Sequence, residues 1–201
     1  MNVPERRDIQ ISLSLPREAQ EAVQKRASTW HRLTDGVTSP KEHQVRVLTI
    51  RGAVKEDIAK IQQAVSDVKK RLEGFNFKAE AYAVRYTRGG ADLKVGSSQE
   101  EDPIYHIKQT FLEALQQAGV RGVEIESDPH IPLVQPREEK KAPPSLLSGY
   151  DMAKKIGWKA VPSEHLVMEE KLHEPPKKSS SPDLRSRQAG QSPQPRPGKP
   201  L

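Results

Sequence analysis

The chain has 201 residues, of which 34% are hydrophobic, and a formal net charge of +6. That length suits one domain of ordinary size with an extension, and the absence of cysteine excludes disulfides, thiolate metal sites and cysteine nucleophiles. The basicity is local: residues 173–201 carry six Lys/Arg against Glu174 and Asp183, a net of +4, which leaves +2 on residues 1–172 and no global phosphate magnet there.

Ile9, Ile11, Leu13 and Leu15 alternate with Gln10, Ser12 and Ser14, the period of a strand with one buried face. Pro16 ends it and suits the start of a helix, whose face is marked by Ala19, Ala22, Val23, Ala27 and Trp30 and which stops by Asp35-Gly36. After a turn at Thr38-Ser39-Pro40, a second strand is expected from about Val45 to Arg51. Val54, Ile58, Ile61, Val65, Val68 and Leu72 then step by three and four, which predicts an amphipathic helix stopped at Gly74.

Phe75, Phe77, Ala79, Ala81 and Ala83 alternate with polar residues, and Leu93 to Val95 supplies a second apolar segment, so a hairpin is expected here. Arg85, Tyr86 and Arg88 lie before its Gly89-Gly90 turn, as in a loop for single strands or in an ordinary polar hairpin end. Ile104, Ile107, Phe111, Leu115 and Ala118 predict a helix ended by Gly119. Val123 and Ile125 lead into Ser127-Asp128-Pro129-His130-Ile131-Pro132-Leu133-Val134, where Pro129 holds Asp128 extended. Pro132 lacks a backbone donor, which predicts a sheet edge, a bulge or a short pairing partner. A short helix around Leu147 to Ile156, ended by Gly157, and a last strand from Trp158 to Met168 complete the body.

Residues 173–201 hold seven prolines and cannot bury enough apolar surface to offset ordering entropy, so a disordered tail is expected beyond a domain of residues 8–172. Its Pro193, Pro195, Arg196, Pro197, Lys199 and Pro200 fit a polyproline ligand for a protein partner, or a plain solubilising or weakly nucleic-acid-binding extension. No apolar run approaches the ~20 residues that span a bilayer, and the N-terminus lacks the apolar segment of a secretory signal. The expectation is therefore a cytosolic protein with no membrane partner. His31, His106 and His165 show no metal-ligand spacing, and neither a metal nor a cofactor is expected.

The alternation of strands and helices predicts an α+β or α/β domain. Its element order, with Val47-Leu48-Thr49-Ile50 on one strand and His130-Ile131-Pro132-Leu133 on another, resembles the 2H phosphoesterase superfamily. That superfamily includes the RNA 2',3'-cyclic phosphodiesterases once called 2'-5' RNA ligases. The resemblance implies a bilobal α+β fold in which two strands each carry a His-φ-Thr-φ motif, φ being apolar. On a strand, positions i and i+2 face the same way, so imidazole and hydroxyl enter the cleft while the φ residues enter the core. One imidazole then serves as general base, the other as general acid, and the hydroxyls hold phosphate oxygens.

Both motifs are incomplete here. The second keeps His130 as the candidate catalytic group and has Pro132 in place of Thr; the first keeps Thr49 as a phosphate-binding hydroxyl and has Val47 in place of His. Arg51 shares the parity of Thr49 and is a further candidate for a phosphate. His43 shares the parity of Val47 and is weighed as a displaced imidazole, but at ~3.3 Å per residue it lies roughly 13 Å away. Losing one positioned acid or base costs ~10²- to 10⁴-fold. The expected function is thus a degenerate protein that binds an RNA end or nucleotide phosphate, with lost or weak cyclic phosphodiesterase activity. The alternative is a non-enzymatic scaffold or nucleic-acid-binding protein that uses its basic Pro-rich tail.

Overall fold

Strand β1 (Arg6–Ser14) shows the predicted alternation: Ile9, Ile11 and Leu13 are buried in the apolar core, while Asp8, Gln10 and Ser12 line cavities on the other face. The computed structural model describes residues 5–33, 37–87, 90–97, 102–121, 124–136 and 150–173. Of the tail, only residue 173 falls among them. Helix α1 (Arg17–Leu33) buries Ala19, Val23 and Ala27. Strands β2 (Val37–Thr38) and β3 (Gln44–Val54) follow, then helix α2 (Lys55–Arg71), where Ile61, Val65 and Val68 of the predicted stripe are buried together with Ala64, while Val54 ends β3. Gly74 reverses the chain at φ +78°, a value that favours glycine because it has no Cβ.

The predicted hairpin forms as β4 (Phe77–Thr87) and β5 (Gly90–Ser97). Helix α3 (Pro103–Gln117) begins with Pro at its first turn, and Asp102 caps it by accepting from the Ile104 N–H at 3.0 Å. Strands β6 (Glu124–Glu126) and β7 (His130–Pro136) come next. After them the expectation fails. Tyr150–Ala160 is strand β8, where a helix was expected as far as Ile156, and the strand expected from Trp158 to Met168 is instead broken by a four-residue helix, α4 (Pro162–His165), before strand β9 (Leu166–Leu172). The spacing of Leu147, Tyr150, Ala153 and Ile156 imitates a helical stripe. Pairing along β4 from Phe77–Ala160 to Arg85–Tyr150 decides for the strand. Pro162 has no N–H for a ladder but fits a helix start, so the chain turns there.

The nine strands among the described residues form one curled antiparallel sheet with path β8-β4-β5-β7-β3-β1-β9; β2 joins β7 and β6 joins β3 off the path. The sheet has two halves, β8-β4-β5-β7 and β3-β1-β9. Along the seam between them, the ladder of β3 with β7 consists of one pair, Arg46 with His130. The structure accounts for Pro132 through both predicted devices. Leu133 is skipped in the pairing of β7 with β5, and the Pro132 carbonyl points to the His43 ring rather than to a ladder partner on β3. The missing N–H lies on the same side as that carbonyl, where β7 has left β3. Among the described residues, no helix is long and apolar enough to cross a membrane.

Candidate functional site

A bulge in β3 sets which side chains reach the cleft. Ile11 pairs with Leu48 and Ser12 with Arg46, so Val47 is the extra residue, and both Val47 and Leu48 are buried. Before the bulge, Gln44 and Arg46 face the open side; after it, Thr49 and Arg51 do. The carbonyls that the bulge frees find side-chain donors: the Ser127 hydroxyl donates to Val47 O and the Gln10 amide to Leu48 O, each at 3.2 Å.

This corrects the expected position of the missing imidazole. Val47 does not face the cleft with a gap beside it; its side chain is 0% exposed. His43 does share the side of Val45 and Val47, but that side is the core. It is also 0% exposed, with Nδ1 3.0 Å from Pro132 O and Nε2 3.0 Å from Gln24 of α1. Burial pushes its imidazole below the usual range, against the opposing effect of the Pro132 hydrogen bond. A neutral ring has one N–H to donate. It goes to the carbonyl, and the Gln24 amide must turn its NH₂ towards Nε2. With its own amide turned likewise, Gln20 donates to His43 O at 2.8 Å and accepts from His43 N at 2.9 Å. Two glutamines one turn apart on α1 thus grip the entrance to β3, and His43 does not reach the cleft.

The structure does bring His130, Thr49 and Arg51 together. A cleft of about 650 Å³ is lined by Asp8, Gln10, Arg46, Thr49, Arg51, Glu126, His130, Gln135, Lys171 and Leu172. Gln10, Arg46 and Lys171 also border a second cavity of about 260 Å³, walled further by Pro132, Gln44 and Glu169. The His130 Nδ1 lies 2.5 Å from Asp128 O, which makes it the N–H donor and leaves Nε2 with no partner among the described residues. Pro129, between them, restrains this contact.

Asp128 is itself fixed, accepting from Arg85 Nη1 and Lys94 Nζ at 2.5 Å each, while Arg85 also reaches Asp92 at 3.0 Å. Burial pushes the Asp128 carboxyl up, but the bonds from Lys94 and Arg85 outweigh it and hold the group below the usual carboxylate range. Arg85 is therefore committed to this network rather than presented on a loop. Residues 88–89 of the expected loop lie outside the described residues.

Thr49 and Arg51 are less free than their sequence positions suggest. The Thr49 hydroxyl donates to Gln10 Oε1 at 3.2 Å. Arg51 bridges Glu126 at 2.8 Å and Asp8 at 3.2 Å, and its hydrogen bond to Glu126 is the main cause of a guanidinium held above its usual range. Arg46 was missed by sequence reasoning. It faces the cleft with no hydrogen-bond or ion-pair partner among the described residues, directly across the seam from His130. The only signal for it was its parity with Gln44. Elsewhere, His106 packs edge-on against Phe75, with ring centroids 5.2 Å apart, and His31 is exposed. No three His, Cys, Asp or Glu side chains among the described residues are grouped to hold a metal.

No protein-family model matches the sequence, and no curated protein is significantly similar to it. Solved structures are similar. TT0787 of Thermus thermophilus superposes with a TM-score of 0.55 at 12% identity, covering 81% of this chain and 94% of that one. The MHV ns2 PDE domain gives 0.52 at 14% identity, covering 77% and 100%. E. coli LigT complexed with 3'-AMP gives 0.44 at 15% identity, covering 77% and 98%. At such identities the likeness is one of fold, and it agrees with the order of elements and with the curled antiparallel sheet. The chain has the α+β fold of the 2H phosphoesterases.

Proposed function

We propose that the cleft binds an RNA end or a nucleotide through its phosphate, and that cyclic phosphodiesterase activity is lost or weak. The observation that carries this reading is a single imidazole, His130, among the described residues lining the cleft, with Thr49 close by and Val47 turned into the core. His130 with Nδ1–H fixed has an Nε2 lone pair able to take one proton. Hydrolysis of a cyclic phosphate needs a second transfer, to the leaving oxygen, and the described residues of the cleft present no second imidazole for it. Thr49 can donate to a phosphate oxygen once it turns from Gln10, whereas Arg51, the other candidate phosphate ligand, must first loosen its ties to Asp8 and Glu126.

Calorimetric titration with adenosine 3'-monophosphate and ³¹P NMR of adenosine 2',3'-cyclic phosphate test this. The expected results are saturable, salt-sensitive binding and a turnover slower by about 10²- to 10⁴-fold than a pair of imidazoles would give. His130→Ala should abolish any such turnover. Turnover unchanged in that variant, or no binding by the native protein, would overturn the reading.

The second reading, a scaffold whose basic Pro-rich tail engages partners, gains support from Asp8 and Glu126, whose carboxylates oppose anions in the cleft. Deleting residues 174–201 separates the two. Retained nucleotide binding favours the cleft, and loss of all partner binding from an intact body favours the scaffold.

A further inference from the structure

We propose that Arg46 is the phosphate anchor of the cleft and stands in the place of a second imidazole, so that the site holds a terminal phosphate between a guanidinium and His130 instead of between two proton-transfer groups. The proposal rests on the phosphate-cleft reading and deepens it by naming the residue and the ligand group.

Four observations converge on Arg46. Its Cα is paired with that of His130 in the antiparallel ladder, the one such pair joining β3 to β7, so the two side chains leave the sheet side by side. Directly opposed residues in such a ladder have Cα atoms about 4.5–5.5 Å apart, within the span of a phosphate held from both sides. Second, both side chains line the same cleft. Third, the other arginines nearby are neutralised, Arg51 by Asp8 and Glu126 and Arg85 by Asp92 and Asp128, whereas Arg46 has no partner among the described residues. Last, Arg46 borders both cavities, so its guanidinium can meet an anion where they join.

The chemistry follows from the side chain. A guanidinium presents parallel N–H donors that match two oxygens of one phosphate, and it remains protonated at any physiological pH. It stabilises charge but gives up no proton. A phosphomonoester carries close to two negative charges at neutral pH and a cyclic diester carries one, so the anchor favours a 3'- or 2'-phosphate end over the cyclic form. Pro132 offers no hydroxyl where the motif would carry one, so the anchoring donors beside it are Arg46 and, on the far wall, Lys171.

Arg46→Ala, Arg46→Lys and Arg46→His test this by calorimetry with adenosine 3'-monophosphate, adenosine 2',3'-cyclic phosphate and adenosine. The native protein should bind the monoester most tightly and adenosine least. Arg46→Ala should weaken monoester binding by roughly 10- to 100-fold, as expected for a lost charged hydrogen-bonding pair, and Arg46→Lys should recover part of it. Arg46→His should restore a second proton-transfer group. Water then attacks phosphorus as one imidazole takes its proton, the P–O ester bond breaks, and the other imidazole protonates the leaving oxygen. Hydrolysis of the cyclic phosphate should rise by about 10²-fold or more, and His130→Ala in the same chain should remove the gain. Thermal melts check that each variant folds.

If the native protein binds none of these ligands, the cleft reading and this proposal fall together. If it binds the monoester and folded Arg46→Ala binds it equally, the anchor is refuted while the cleft reading stands. A folded Arg46→His that binds without faster hydrolysis refutes the equivalence of the two positions.

Discussion

Replacing His43 with alanine separates its structural role from a role in the cleft. The ring lies between α1 and the sheet and donates to Pro132 O at 3.0 Å, with Gln24 on its other nitrogen. Gln24 is half-buried and can turn to water, so the orphan left behind is the buried Pro132 carbonyl. An unsatisfied buried acceptor costs about 1–3 kcal/mol, and the cavity left by a buried ring of this size adds a comparable amount, for a total of about 4 kcal/mol. In a domain of this size each kcal/mol shifts the Tm by roughly 2–4 °C, so the melt followed by far-UV circular dichroism should fall by roughly 8–16 °C.

A pH dependence accompanies this. Burial depresses the folded-state pKa of His43, so its contribution to stability is fully present above the unfolded value near 6.5 and is lost as pH falls below it. The native protein should lose Tm between pH 7.5 and 5.5, and the alanine variant should lose less. Affinity for adenosine 3'-monophosphate should stay within about twofold, because the ring lies on the core side of the sheet. Lost affinity with an unmoved Tm would refute this placement.

Two further perturbations test the bulge and the charge network. Val47→His, which would complete the motif on sequence grounds, should instead destabilise the fold by roughly 2–4 kcal/mol in urea unfolding and add no phosphodiesterase activity, because an imidazole there enters the core without a partner. Activity gained by Val47→His and not by Arg46→His would place the bulge elsewhere. Asp128, held below the usual carboxylate range chiefly by Lys94 and Arg85 against the effect of its burial, stabilises the fold above about pH 4, and this is lost as pH falls through its folded-state pKa. Asp128→Asn should flatten the acid limb of a pH-melt series; an unchanged limb would show that the network adds nothing.

Periodicity alone gave β1, α1, α2 and α3, because each buries one face of a regular element and the apolar residues must recur with that element's period. The alternation of Ile9, Ile11 and Leu13 and the three-and-four steps from Val54 to Leu72 leave little choice. Pro132 also announced a break in pairing, since a residue without an N–H cannot complete a ladder. The segment Tyr150–Ala160 was not legible, because its apolar spacing satisfied a helix and only the pairing with β4 selects the strand.

The candidate site was only half legible for a related reason. Parity along β3 is regular until one extra residue enters, and nothing in Arg46-Val47-Leu48-Thr49 marks the bulge, since both of its central residues are apolar and suit the core equally. The bulge exists because β1 pairs with β3 on a register that skips Val47. Sequence by itself determined most of the elements up to β7 and the charge on the tail, and it singled out His130 and Thr49 as candidates. The tertiary structure alone decided that Val47 and His43 belong to the core and that a guanidinium stands opposite His130, because facing and neighbourhood across a sheet depend on pairings between segments far apart in the chain.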